Sequence, residues 1–148
     1  MRALIQRVKE ARVKVAGQVI GEIGTGLLVF LGVSGDDMEE DADLVWRKLS
    51  RMRIFADDAG KTNLDIKQVS GNILLISQFT LYADCKKGNR PSFTKAGPAE
   101  TGNRLYQYML NLARSEFPDI QSGQFGADMQ VELVNDGPFT IILDSDQL

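Results

Sequence analysis

Histidine is absent from this chain of 148 residues, and cysteine occurs once, as Cys85. The lack of histidine excludes a Ser-His-Asp or Cys-His catalytic arrangement, a zinc site containing histidine, and an imidazole group that titrates near neutral pH. A single cysteine excludes an internal disulfide and is typical of a reducing compartment. If the chain is an enzyme, less common groups must carry its chemistry.

Long apolar runs are also absent. No segment approaches the roughly 20 apolar residues of a membrane-spanning helix, and the first 15 residues alternate charged and apolar side chains instead of forming a signal-peptide core. We therefore expect a cytoplasmic protein without membrane contact. The formal charge of −3 argues against a surface that coats nucleic acid, so we expect no DNA partner, but a local basic patch is compatible with it. Gly24 and Gly26 do not complete a dinucleotide-binding fingerprint, and we expect neither a cofactor nor a metal ion.

The patterns that are present predict one globular domain over residues 1–148. Four strands are predicted in the first third, with RALIQRV and ARVKVAG as the first two, and GLLVFLGV has the pattern of a strand buried on both faces. Helical periodicity follows in residues 38–52 and again between Pro98 and Pro118. Ile73 to Phe79 is predicted as a core strand, residues 119–128 as a linker, and Met129 to Val134 and Phe139 to Asp144 as two closing strands.

The resulting order is β-β-β-β-α-β-β-α-β-β with short connections. It predicts an α+β fold in which antiparallel β-sheets curl into a barrel-like core and two helices pack outside.

Polar side chains occur where the predicted core strand ends, in the segment SQFTLYAD. Alternation along a strand would place Ser77 and Phe79 on one face and Gln78 and Thr80 on the other. In one interpretation the strand fades into a loop, and neighbouring backbone satisfies these polar groups. In the other, the hydroxyls, the amide and exposed backbone N–H groups form a site for a carbonyl or an oxyanion. The spacing does not decide between them.

A basic segment, CKKGNRPSFTKAG, follows and contains no acidic residue. Its cations are Lys86, Lys87, Arg90 and Lys95. Such a run fits a solvated loop, and it equally fits an extended loop that lies along a phosphate backbone. Cys85 precedes these cations, but with no histidine to activate it we expect a buried or merely incidental thiol.

The segment NDGPFT, residues 135–140, breaks a local rule. Asp136 and Gly137 are typical of a hairpin turn, yet Pro138 stands where the returning strand would need a backbone N–H. Gly137 permits unusual backbone angles, and Pro138 stiffens the turn, so carbonyl groups remain free to face something other than a neighbouring strand.

With both segments in view, the chain resembles the D-aminoacyl-tRNA deacylase (D-tyrosyl-tRNA(Tyr) deacylase) family. The resemblance rests on the Ser-Gln-Phe-Thr-Leu strand end at Ser77 to Leu81 and on the Asn-x-Gly-Pro-x-Thr segment at Asn135 to Thr140. The start MRALIQRV, which includes Arg7, is also similar, and the likeness extends from Met1 to Asp144.

The resemblance implies a homodimer that hydrolyses the ester of a D-amino acid, or of glycine wrongly attached to alanine tRNA, at the terminal adenosine of tRNA. It further implies a cis bond between Gly137 and Pro138, which would enter the partner subunit's site and leave no room for an L side chain. Catalysis would come largely from the 2′-hydroxyl of the RNA, helped by backbone around Phe79. A nucleophilic Thr80 is a minor alternative, since no base for it is apparent.

These implications define the candidate site residues and their alternatives. Ser77, Gln78, Phe79 and Thr80 are the catalytic candidates, Gly137 and Pro138 the chiral filter, and Arg7, Asn135 and Thr140 its support. Lys86, Lys87, Arg90 and Lys95 are candidates for tRNA contact. Two other hypotheses remain open: a non-enzymatic nucleic-acid-binding module, and an ordinary turn at NDGPFT with a trans bond at Pro138.

Overall fold

The first strand, β1, organises the fold. In the computed structural model, which describes residues 1–148, β1 runs without interruption from Arg2 to Val15. One of its edges pairs antiparallel with β3 (Gly26–Gly32) and then with β2 (Gln18–Ile23). Its other edge pairs antiparallel with β8 (Gln130–Asp144). The prediction of two separate strands was wrong because Lys9 and Glu10, both exposed, break the alternation where β1 passes from β3 to β2.

The remaining strands extend the sheet in parallel. β6 (Asn72–Ser77) pairs parallel with β3, and the short β7 (Gln121–Ser122) pairs parallel with β6. The prediction of antiparallel sheets was therefore wrong at these two pairings. Each parallel pair is joined by a connection that includes a helix, which a pattern of short turns does not reveal. The predicted linker also contains β7.

Two helices cover the nearly closed, barrel-like sheet, as predicted for this α+β fold. α1 spans Glu39–Leu49 and α2 spans Ala99–Glu116, and each buries one apolar face. Trp46 on α1 is buried and donates its indole N–H to Glu116 Oε1 over 2.9 Å. A small antiparallel hairpin, β4 (Phe55–Ala56) and β5 (Thr62–Leu64), lies between α1 and β6. Neither helix combines the length and apolar character that crossing a bilayer requires.

The central strands are buried on both faces. Leu27 and Val29 of β3 face the larger core under the helices, whereas Leu28 faces a smaller core inside the curled sheet. On β6, Leu75 faces the larger core and Leu74 faces the smaller one. The predicted strand GLLVFLGV is thus confirmed as one that is covered on both sides. A site at the ends of these strands stands on a rigid frame, because their side chains are fixed by packing from two directions.

Candidate active site

The polar segment after β6 forms a tight turn. Strand pairing ends at Ser77, opposite Leu31 of β3, and the N–H of Gln78 donates to the carbonyl of Leu31 over 2.7 Å. The chain then enters a short 3₁₀ turn, Phe79–Tyr82. The first N–H groups of such a turn, those of Phe79 and Thr80, have no acceptor within it. We call residues 77–81 the strand-end site.

This turn overrides the predicted alternation of side chains. Gln78 and Thr80 do lie together, but through a hydrogen bond in which the Gln78 amide donates to Thr80 Oγ1 over 2.5 Å. Phe79 is 57% exposed and does not continue the apolar face of β6. The prediction of a strand as far as Phe79 was wrong, because pairing with β3 ends after the Gln78 N–H and the side chains of Gln78 and Thr80 bond to each other in a local turn.

A pocket of about 550 Å³ opens beside the strand-end site. Leu31, Ser77, Gln78 and Phe79 line one side of it. The opposite side comes from α2 and from the segment before β8: Gly102, Tyr106, Phe125, Gly126, Ala127 and Met129. A mostly apolar pocket with a few converging polar groups is the usual form of a small-molecule or nucleoside site.

The segment before β8 was missed as part of a site because its composition resembled a linker. A signal was available in the glycines around Phe125. Gly126 has a φ of +75°, and a Cβ atom on Gly123 would lie 2.7 Å from the sulfur of Met129.

Burial raises the pKa of Tyr106 to about 12, so its hydroxyl stays protonated and donates to the carbonyl of Leu75 over 2.9 Å.

The segment NDGPFT is a bulge in one continuous strand. β8 pairs with β1 on both sides of it, and residues 136–139 stand opposite Arg7 alone. The prediction of two closing strands joined by a turn was wrong, because both halves of β8 pair with the same partner strand. The bond between Gly137 and Pro138 is cis, whereas the ordinary-turn hypothesis expected a trans bond. We call residues 135–140 the Gly-Pro bulge.

Asn135 closes the base of this bulge. Its Oδ1 accepts the N–H of Phe139 over 2.8 Å, and its Nδ2 donates to the carbonyl of Phe139 over 3.2 Å. Thr140 Oγ1 accepts a hydrogen bond from Gln6 Nε2 over 3.2 Å. The Asn135 side chain thus takes the place of a paired strand, which leaves the carbonyls between Asn135 and Phe139 to other partners.

Arg7 holds the bulge from β1. Its Nε donates to the carbonyl of Asp136 over 2.8 Å, a second guanidinium N–H donates to the carbonyl of Ile54, and the guanidinium lies 4.6 Å from the ring centre of Phe139. The Arg7 side chain is only 15% exposed. A planar donor group packed on an aromatic ring fixes the backbone of the bulge more firmly than a single hydrogen bond would.

The bulge and the strand-end site of one chain lie far apart. Pro138 is level with Arg7, Leu27 and Ile73 across the sheet, whereas Ser77 is level with Leu31. Four residues of strand separate these levels, about 13 Å along the strand direction, and β8 and β6 are three strand spacings apart, about 14 Å along the curved sheet. Within one protomer, Gly137 and Pro138 therefore do not contact Ser77 to Thr80.

The predicted basic segment borders the pocket. Residues 85–97, which we call the basic loop, carry exposed Lys86, Lys87, Arg90 and Lys95. Gly97 at its end lines the pocket, and Phe93 packs against Phe79 with ring centres 5.2 Å apart. The structure therefore places the loop that carries the cations against the strand-end site through Phe93 and Gly97. Cys85 is exposed.

β8 leaves an apolar edge uncovered. Its pairing partner is β1 on one side only, and Leu133, Val134 and Ile142 are 37%, 46% and 66% exposed. A long strand edge with exposed apolar side chains is a favourable surface for pairing with another chain. The Gly-Pro bulge lies in the middle of this edge.

Comparison with known proteins agrees with the two motifs. The family model described as D-Tyr-tRNA(Tyr) deacylase matches residues 4–144. The chain is similar to the D-aminoacyl-tRNA deacylase of Thermotoga petrophila, with 51% identity over 100% of this chain and 99% of that protein. It is also similar to the D-aminoacyl-tRNA deacylase of Anaeromyxobacter dehalogenans, with 53% identity over 100% and 99%.

Two solved structures share the fold. That of a c-Myc DNA Unwinding Element Binding Protein superposes with a TM-score of 0.92 at 39% identity, over 97% of this chain and 98% of that one. A probable eukaryotic D-amino acid tRNA deacylase superposes with a TM-score of 0.85 over 96% and 97%, but at 16% identity this likeness concerns the fold alone. The predicted family and the predicted class of enzyme are confirmed: the chain belongs to the D-Tyr-tRNA(Tyr) deacylase family.

Proposed function

We propose that this chain hydrolyses the ester between a D-amino acid and the terminal adenosine of tRNA, and that it also accepts glycine attached to alanine tRNA. In this proposal it acts as a homodimer, and each strand-end site is completed by the Gly-Pro bulge of the other protomer. The observation that carries the proposal is the separation of these two elements within one chain, combined with a bulge that is held rigidly at an open strand edge.

The strand-end site supplies position and polarity. Backbone N–H groups at the start of the 3₁₀ turn, together with the Gln78 amide and the Ser77 hydroxyl, would hold the ester carbonyl and stabilise the oxyanion that forms during hydrolysis. Thr80 Oγ1 already accepts a hydrogen bond from the Gln78 amide, and no carboxylate, amine or thiol is hydrogen-bonded to this hydroxyl to act as its base. The attacking or activating hydroxyl would therefore be the 2′-hydroxyl of the terminal ribose, brought into position by binding.

The Gly-Pro bulge of the partner would supply selectivity. Its free carbonyls would accept hydrogen bonds from the substrate amino group, and the rigid backbone would occupy the space that an L side chain needs. Rejection by steric conflict requires no additional attractive contact with the D enantiomer. Glycine, which has no side chain, would pass the filter.

The test is a parallel assay of tRNA charged with the D and the L form of one amino acid. The proposal predicts release of the D form and sparing of the L form, and equal turnover of both would contradict the filter. A second substrate, charged at the 3′ position of a terminal 2′-deoxyadenosine, should be hydrolysed poorly. If this substrate is hydrolysed at an undiminished rate, the attacking or activating hydroxyl belongs to Thr80 or Ser77 and not to the RNA.

The unpaired cations of the basic loop favour a second candidate, a non-enzymatic nucleic-acid-binding module. The 39% identical solved structure is, by its name, that of a protein that binds a DNA element. The two candidates separate on the Pro138→Ala variant. The enzyme should lose hydrolysis while its affinity for tRNA barely changes, whereas a simple binding module has no hydrolysis to lose.

A further inference from the structure

Two exposed aromatic rings stand together beside the strand-end site, and one of them, Phe79, lines the pocket. Phe79 and Phe93 meet edge to face, with ring centres 5.2 Å apart and an angle of 71° between the rings. They remain 57% and 38% exposed. Large aromatic side chains are usually buried, so an exposed pair beside a pocket is an unusual surface that presents π faces to solvent.

The structure holds this pair in place. Asp84 and Ser92 exchange two backbone hydrogen bonds of 2.7 and 2.9 Å, which close the segment between them. Downstream, the N–H of Gly97 donates to the carbonyl of Val33 over 2.9 Å and fastens the end of the basic loop to the end of β3. Phe93 lies between these two attachments, so its position against Phe79 is set by backbone contacts on both sides.

The charges around the pair are free. None of Lys86, Lys87, Arg90 and Lys95 forms an ion pair, although Lys14, Lys67 and Arg104 elsewhere in the chain do. Residues 85–97 contain no acidic side chain. Cations without intramolecular partners, on the same loop as one of two exposed aromatic rings, match the recurring design of single-stranded nucleic-acid sites, in which rings stack on bases and cations follow the phosphates.

We propose that Phe79 and Phe93 form a stacking platform for the unpaired nucleotides that precede the terminal adenosine of an RNA 3′ end, and that the basic loop binds the phosphates between them. This inference rests on the proposed function, which places the terminal adenosine itself in the adjoining pocket. Stacking tolerates every base, and phosphate contacts carry no sequence information. The platform therefore contributes affinity and position without selecting among tRNAs.

The test uses substrates of increasing length: D-aminoacyl-adenosine, a D-aminoacyl trinucleotide ending in adenosine, and D-aminoacyl-tRNA. The Phe93→Leu variant should lower kcat/KM about tenfold on the trinucleotide and on tRNA, within the range of base-aromatic stacking, and leave the adenosine ester unchanged. The Phe93→Tyr variant keeps the ring and should behave as the unaltered chain. Equal losses on all three substrates, or no loss on any, would overturn the platform.

Salt dependence supplies the control for charge. Lys87→Gln and Arg90→Gln should each weaken binding of a single-stranded RNA that carries no amino acid, and should reduce the dependence of that binding on salt concentration. Lys61→Gln, on the turn between β4 and β5, should change neither the affinity nor its salt dependence. Equal effects at all three positions would contradict the role of the basic loop.

Binding also separates this inference from the proposed function. If the unaltered chain hydrolyses none of the three substrates, the proposed function fails. The affinity for single-stranded RNA without an amino acid then tests whether the platform exists. Phe93→Leu must still weaken this binding, and unchanged binding would overturn the inference.

Discussion

The strand-end site and the Gly-Pro bulge are both held by an arginine of β1, but in different ways. Arg7 is largely buried and donates to backbone carbonyls of Asp136 and Ile54. Arg2 is 40% exposed; it donates to the carbonyl of Leu81 over 3.2 Å and to the carboxylate of Asp144 over 2.7 Å. Both arginines also lie in an ion pair, Arg7 with Asp136 and Arg2 with Asp144, so the difference between them is burial. The bulge is therefore a closed, rigid element, whereas the strand-end turn is more open.

This difference matches the two tasks in the proposed function. An element that selects by excluding an L side chain must not yield, so it benefits from buried contacts, from the absence of a side chain at Gly137 and from the stiff ring of Pro138. An element that receives an ester and an RNA end must stay accessible, and the substrate completes its ordering. Changes at the bulge should therefore affect selectivity most, and changes at the turn should affect rate.

The largest effect is expected from Gly137→Ala. A Cβ atom there would lie 2.4 Å from the backbone nitrogen of Phe139 and 2.9 Å from its Cβ, so the bulge must change shape. We expect hydrolysis of D-aminoacyl-tRNA to fall at least a hundredfold, which corresponds to about 2.7 kcal/mol of transition-state stabilisation. Gly24→Ala is the matched control, because nothing lies within 4 Å of its added Cβ. Comparable losses in both variants would contradict the importance of the bulge's shape.

Arg7→Lys should have the next largest effect. Lysine cannot donate to two carbonyls in a fixed plane while packing on Phe139, so the bulge should loosen and both D turnover and discrimination against L should decline. We expect a loss of about tenfold in the ratio of D to L turnover, or about 1.4 kcal/mol. Arg12→Lys, on the same strand but in an exposed ion pair with Glu132, is the control and should keep the ratio. An unchanged ratio of D to L turnover in Arg7→Lys would contradict the proposal that Arg7 makes the filter rigid.

Arg2→Ala should lower the rate without altering selectivity. It removes the donor to the Leu81 carbonyl and the guanidinium that lies 4.6 Å from the ring centre of Tyr82, so the turn that carries Phe79 and Thr80 becomes less ordered. We expect a several-fold fall in kcat, with the ratio of D to L turnover unchanged. A fall in that ratio equal to the one in Arg7→Lys would erase the distinction between the two elements.

The smallest effect concerns pH. Burial raises the pKa of the Asp144 carboxyl. The hydrogen bonds from Arg2 and from the Asp146 N–H, with the nearby positive charges, together outweigh burial, so the pKa is lowered. Because the pKa is lower in the folded state, ionised Asp144 contributes to the free energy of unfolding. This contribution is fully present above the pKa of the unfolded chain, near 3.9, and is lost as the pH falls through the pKa of the folded chain. The difference in free energy of unfolding between the unaltered chain and Asp144→Asn should thus shrink below about pH 4. Denaturant unfolding across pH measures it, and a difference that grows on acidification would contradict this contribution.

The sequence predicted much of this architecture for physical reasons. Amphipathic spacing located both helices, and the apolar run around Leu28 identified a strand covered on both faces. Pro138 marked the Gly-Pro bulge, because a residue without an N–H is conspicuous at the head of a strand. These features depend on local patterns, which a single sequence records.

Features that depend on pairing between distant segments were not predictable in the same way. Whether β8 is two strands or one depends on β1, which pairs with both halves, and no local rule specifies that partner. The wall of the pocket around Phe125 consists of irregular backbone whose position is set by α2 and β6. The turn after Ser77 likewise replaces a regular strand through a local hydrogen bond between Gln78 and Thr80.

The most direct test of the account asks whether two protomers share one site. Gly137→Ala damages the bulge, and Gln78→Ala damages the strand-end site, so a heterodimer of the two variants retains one site built from two intact elements. Co-expression with two different affinity tags isolates this heterodimer. The account predicts that each variant homodimer is nearly inactive on D-aminoacyl-tRNA, while the heterodimer regains about half of the activity of the unaltered dimer. A heterodimer as inactive as its parents would contradict it.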